Sequence, residues 1–249
     1  MSSSEYVQKV LGLVPGVVEK NAPVLREVSR RIVDGVAAGK YLMVAGSGHS
    51  AIFAMELYHR AGGPSFVLPV VTEKVLPLFG PALAREAERK PESMIPALMR
   101  MKPVRGEMLW ICSQSGINAS IVELALEARN LGLETVAFTS VAHSSSAKSR
   151  HASGKRLMEV VDHIVDLGGV PGDALLPIAG GGAVGPFSTL SALIQAHAIL
   201  SDACRELESR GIRCVYTSVN TAGGEDRNLK LEEAAALRDD RLMVTSAKP

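Results

Sequence analysis

Two short turns hold the residues best suited to chemistry: Gly46-Ser47-Gly48-His49-Ser50 and Ser113-Gln114-Ser115-Gly116. Each follows an apolar run that reads as a strand, Tyr41 to Ala45 and Met108 to Cys112, and each opens onto a segment of helical spacing. At such a junction the helix N-terminus offers unpaired N–H groups and the positive end of its dipole. Glycine permits close backbone approach, and serine hydroxyls add donors. The chemistry is anion capture, and two converging turns make a phosphate cradle; the alternative is that both turns merely join strand to helix. No Gly-Lys-Ser or Gly-Lys-Thr follows the first turn, which disfavours a nucleoside triphosphatase. A dinucleotide fingerprint is also weak, because Ala51 stands at its third glycine and Val70 and Val71 lie where a ribose-binding acid belongs.

Proton-transfer groups surround the first turn. Glu56 follows it by about two helical turns, and either projects toward the crevice as a general base or stands on a solvated helix face. As a base it needs partial burial to raise its pKa toward neutrality. His49, inside the turn, can polarise a ligand hydroxyl or exchange protons near pH 7, or simply cap the next helix. His59 lies at an apparent helix end, Tyr58-His59-Arg60. His151 belongs to the polar loop Ser149-Arg150-His151-Ala152-Ser153-Gly154-Lys155, which could close on a ligand with Arg150 or Lys155 adding charge, or remain a solvated loop.

The elements that must position these residues follow from periodicity. From Glu5 to Ala38 apolar residues recur at helical spacing, interrupted by Pro15 and Pro23, which predicts two or three opening helices. Strand, serine turn and helix then occur twice, the second helix running from Ala119 to Leu131. Glu134 to Thr139, Ile164 to Asp166 and Arg213 to Val219 read as further strands. Continuous apolar strands separated by helices predict a parallel, doubly wound sheet covered on both faces, a three-layer α-β-α sandwich. The proline-rich, charged segment from Lys74 to Arg105 reads as a surface excursion. Gly168 to Pro186 is rich in Gly and Pro, and precedes a long helix expected from about Ser188 to Ser209.

On these residues the chain resembles the SIS (sugar isomerase) domain family. Ser113-Gln114-Ser115-Gly116 leading to Asn118 looks like its phosphate-binding signature, and Gly46-Ser47-Gly48-His49-Ser50 looks like its first sugar-phosphate loop. The resemblance spans about Gly39 to Ser218, and residues 149–157, Ser-Arg-His-Ala-Ser-Gly-Lys-Arg-Leu, point to a branch related to phosphoheptose isomerases. It implies that Ser113, Gln114, Ser115 and Asn118 hold a phosphate, with Ser47 and Ser50 binding the sugar or completing that site. Asn118 replaces the threonine of the isomerase domain of glucosamine-6-phosphate synthase. Phosphoheptose isomerases place a metal-binding His and Glu four residues apart on the first helix, whereas Glu56 and His59 are three apart, so no metal or other cofactor is expected. N-acetylmuramic acid 6-phosphate etherase uses a glutamate from this helix, in a register other than that of Glu56. In SIS dimers a late segment of the neighbouring subunit often completes the site, which makes His197 a further candidate.

Composition bounds the rest. Twenty-seven Lys and Arg nearly cancel twenty-six Asp and Glu, so no global field draws the chain to nucleic acid or an anionic membrane. Three cysteines without zinc-ligand or CxxC spacing read as reduced thiols, and with no apolar span or leader the expected setting is cytoplasmic. The expected organisation is a helical extension over 1–38, the α/β domain over 39–220 and a peripheral segment over 221–249. The expected activity is removal of the C2 proton from an (N-acetyl)hexosamine 6-phosphate followed by elimination at C3. An aldose-ketose isomerase and a non-catalytic phosphosugar sensor are the alternatives. A homodimer or larger assembly is expected, because the opening and late helices are more apolar than one sheet face requires.

Overall fold

The computed structural model describes residues 4–236 and Arg241. Helix α1 (Ser4–Ala37) leads into β1 (Leu42–Gly46), α2 (Ala51–Leu57) and β2 (Val67–Val70). Two short helices follow, α3 (Pro81–Ala87) and α4 (Ile95–Arg100), then β3 (Met108–Cys112), α5 (Ala119–Asn130), β4 (Glu134–Thr139), α6 (Val141–Ser146) and β5 (His163–Asp166). A hairpin of β6 (Ala174–Pro177) and β7 (Ala183–Pro186) precedes α7 (Ser188–Ser209) and α8 (Gly224–Ala236).

The main sheet has five parallel strands in the order β2-β1-β3-β4-β5. Strands β1 and β3 are buried at every residue, as apolar runs covered on both faces must be. Pro69 has no N–H to give a ladder, and it sits in β2, an edge strand, where that lack is tolerated. Helices α1, α2 and α7 pack together, with α2 on β1 and β2, while α4 and α5 pack together with α5 on β3 and β4. Phe53 of α2 meets Phe138 at 4.8 Å between ring centres, and Trp110 lies 5.0 Å from Phe138, so an aromatic cluster ties α2 to the central strands.

Several expectations are corrected. The opening segment is one 34-residue helix, not two or three. Pro15 and Pro23 both lie on its exposed face, where the carbonyls that lose their partners are solvated, while Leu25, Val28, Ile32 and Val33 on the other face enter the core. The Lys74 to Arg105 segment is not merely a surface excursion: Val75, Met94, Ala97, Leu98 and Met101 are buried in the core, and the prolines divide it into short helices. Residues 213–219 form no strand. They are held by single contacts to the chain before β2, such as the Tyr216 N–H to the Gly63 carbonyl, and the bridging Pro64 cannot extend a ladder.

Residues 221–234 are mostly exposed, apart from the buried Gly224 and Leu231, and residues 237–240 and 242–249 lie outside the described part. Arg241 is buried. Its guanidinium grips Glu107, at the foot of β3, in a two-pronged pair at 2.7 and 2.8 Å, and lies 4.9 Å from the centre of the Tyr41 ring.

Candidate functional site

The two serine turns stand side by side at the carboxyl ends of β1 and β3, where the direction of strand succession reverses and open α/β sheets form their ligand crevices. The first turn depends on Gly46: a Cβ there would lie 2.0 Å from the Ser50 carbonyl oxygen, so only glycine lets the chain curl back onto the end of β1. Ser47 is buried, and its hydroxyl donates to Glu88 Oε1 at 2.5 Å. Ser50 hydrogen-bonds the Cys112 thiol, whose pKa burial pushes up to about 12, so Cys112 is not a nucleophile near neutrality. His49 is exposed on the wall of the cleft.

In the second turn the Ser113 hydroxyl accepts the Gly116 N–H at 3.2 Å. Gln114 is more unusual: both side-chain amide atoms are buried and neither has a hydrogen-bond partner. Asn118 occupies the N-cap of α5, yet its Oδ1 accepts from Arg150 at 2.6 Å instead of capping the helix, which leaves the Ala119 and Ile121 N–H groups open near a guanidinium, while the Ser120 N–H donates to the Glu88 carbonyl at 3.1 Å. Ser115 is half-buried in the same turn. The polar loop after β4 straps this turn in place: Arg150 N–H donates to the Ile117 carbonyl and Leu157 N–H to the Gly116 carbonyl, at 2.9 and 2.8 Å.

His151 serves that strap. Its Nε2 meets Glu123 of α5 at 2.8 Å and its Nδ1 meets Ser153 at 2.8 Å. Glu56 and His197 meet instead of lining the cleft: the Glu56 carboxylate pairs with Arg60 and lies 3.3 Å from His197 Nε2 in the groove between α2 and α7. Burial, and then the Arg60 charge, lower the His197 pKa, so its imidazole is neutral near pH 7. His59 stands apart from the cleft, 3.0 Å from Glu232 and with its ring 4.7 Å from that of Tyr216.

A cleft of about 710 Å³ gathers Ser47, His49, Ser50 and Gln114 with residues that the sequence reading did not assign, chiefly Glu88, Arg85 and Asp173. Asp173 caps α7, accepting from Ser188 N–H and Oγ at 2.7 and 2.6 Å. The Pro-Gly-Asp sequence at 171–173 was the available signal for that cap. Glu88 carries no local signal, since it comes from the proline-rich segment and reaches the turn only through the fold. Among the described residues, no three His, Cys, Asp or Glu side chains come together as a metal site, and no helix is long and apolar enough to cross a membrane.

The model of the SIS domain matches residues 5–140 of the chain, which includes both serine turns. The chain belongs to the SIS domain family. An UPF0309 protein of Shouchella clausii is 31% identical over 232 residues, spanning 92% of this chain and 94% of that relative. Among solved structures, SIS folds similar to this one include a phosphoheptose isomerase from Francisella tularensis, with a TM-score of 0.52, 14% identity and coverage of 82% of this chain and all (100%) of that one. A phosphoheptose isomerase from Neisseria gonorrhoeae gives a TM-score of 0.50 at 14% identity, covering 84% and 100%. Both likenesses concern the fold, which is that of the SIS sandwich. The match to the family model begins inside α1.

Proposed function

We propose that this SIS domain is a phosphosugar enzyme that binds an (N-acetyl)hexosamine 6-phosphate and removes its C2 proton. The observation that carries the reading is the Gln114 amide, buried and unpartnered beside both serine turns. Native proteins pair nearly all such atoms. A ligand that satisfies both must offer an acceptor to Nε2 and a donor to Oε1, and a sugar phosphate offers phosphate oxygens and hydroxyl hydrogens together. The open Ala119 and Ile121 N–H groups of α5, with Ser113 and Ser115 in the turn that leads to it and Arg150 beside it, fit the phosphate.

Holding the phosphate supplies remote binding energy that fixes the reacting carbon. In the open-chain aldehyde, a base takes the C2 proton and leaves the electron pair in an enolate. Expulsion of the C3 substituent with its bonding electrons then gives an unsaturated sugar, the elimination expected from the sequence. In an aldose 6-phosphate with a hydroxyl at C2, reprotonation at C1 with loss of the 2-hydroxyl proton instead gives the ketose. His49, on the cleft wall, is the proton carrier placed nearest the bound sugar; Glu56, the base expected from the sequence, lies outside the cleft and acts only if the assembled protein brings it to the sugar, and a homodimer is the expected assembly.

The test is to incubate the protein with hexose and hexosamine 6-phosphates in deuterated water and follow the C2 proton by NMR. Exchange at C2 with an unsaturated product supports elimination, and exchange with a ketose supports the isomerase. Tight binding without any exchange replaces both with a phosphosugar sensor.

A further inference from the structure

The Ser47 hydroxyl has a single proton, and it is committed to Glu88 Oε1 at 2.5 Å. While that bond stands, Ser47 offers only lone pairs to the cleft and cannot donate to a phosphate. The backbone that carries it is fixed as well: the Glu88 main-chain carbonyl accepts the N–H of Ser120, in the first turn of α5, at 3.1 Å. Gly48 leaves room for it, because a Cβ there would come within 2.9 Å of Glu88 Oε1. Arg85, one turn earlier on α3, is exposed at the rim, whereas Glu88 is half-buried against the turn.

The two turns are therefore chemically opposite. The second, which reaches the cleft through Gln114, leads to the open Ala119 and Ile121 N–H groups and to Arg150 on Asn118, while the first presents a carboxylate and acceptor lone pairs inside the cleft. A phosphate beside Glu88 would set like charges together, and hydroxyl hydrogens there would each find an acceptor. We propose that Glu88 is the residue that receives the hydroxyls of the sugar, orienting it with its phosphate at Asn118 and assigning Ser47 to the sugar and not to the phosphate. This assignment rests on the phosphosugar reading of the same cleft.

The test compares wild-type protein, Glu88→Gln and Ser47→Ala by NMR titration with N-acetylglucosamine 6-phosphate, fructose 6-phosphate and inorganic phosphate, with thermal melts as the check on folding. Glu88→Gln is expected to weaken both sugar phosphates by about tenfold to a hundredfold, the loss of charged hydrogen bonds, and to leave inorganic phosphate unchanged or tighter. Ser47→Ala is expected to show the same selectivity with a smaller loss. An equal loss for sugar phosphates and inorganic phosphate, or no loss for any, overturns the assignment. If Glu88→Gln melts early, Glu88→Asp serves in its place: it must reproduce the selective loss, and an equal loss for all ligands overturns the assignment again. Wild-type protein that binds no sugar phosphate removes the phosphosugar reading and this assignment together, whereas wild-type binding with unaltered selectivity in the variants removes this assignment alone.

Discussion

Ser113 and Ser115 lie at the leading turn of α5, and removing either hydroxyl is expected to weaken phosphosugar binding by about 1 to 3 kcal/mol, measured by calorimetric titration. Ser113 also accepts the Gly116 N–H, so Ser113→Ala loosens the turn itself and is expected to cost more than Ser115→Ala. Unchanged affinity in both variants would remove the phosphate assignment. Glu56→Gln keeps the side-chain volume and is expected to retain ligand binding while C2 exchange and product formation fall together by about a hundredfold to ten-thousandfold. Wild-type exchange in that variant passes the role of base to His49. The partner of Glu56 carries a pH signature. His197 is held neutral in the folded protein, so the unfolded chain takes up its proton first as pH falls through about 6.5, the ordinary histidine value. Stability is therefore full above that pH and declines below it, and His197→Gln is expected to flatten that part of a pH-dependent melting curve.

The strongest elements were legible because their environments are uniform. Strands β1, β3 and β4 read as apolar runs since both faces are covered, and α7 showed its full length through an unbroken helical period. Both serine turns followed from those boundaries. The hairpin of β6 and β7 was hidden because much of it is exposed and its turn is Gly180-Gly181-Gly182, which has no side chains to alternate. The core residues Met94, Leu98 and Met101 were hidden by prolines that cut their helices too short to show a period. Glu88 was missed because its role depends on a meeting with a residue 41 positions away. In α1 the prolines misled for a different reason, as they break a helix only where the lost hydrogen bond or the ring is costly. Each still spends free energy, so Pro23→Ala is expected to raise stability, by up to about 3 kcal/mol, in a denaturant titration. A decrease would mean that the restricted unfolded chain outweighs the helix penalty.

The whole molecule leaves apolar side chains of α1, α2 and α7 in water. Val7 and Leu11 of α1, Ile52 and Met55 of α2, and Leu190 and Ile194 of α7 are all exposed, at 39% or more. A homodimer burying them is the expected assembly, and light scattering at micromolar concentration checks it; Met55→Glu combined with Ile194→Glu is expected to give a monomer. The pairing of Glu107 with Arg241 binds together parts of the molecule 134 residues apart, with side chains only 1% and 4% exposed. Arg241→Ala strands a buried carboxylate and is expected to cost about 3 to 5 kcal/mol in denaturant, whereas replacing both partners by apolar residues is expected to cost far less. That pairing also imposes an order on synthesis. A chain leaving the ribosome delivers Glu107 long before its guanidinium, and at about 5 to 20 residues per second the carboxylate waits several seconds or more at the foot of a central strand. Until Arg241 arrives, the nascent domain must keep that corner wet, and the final closure of the sheet becomes a late event in the life of each new molecule.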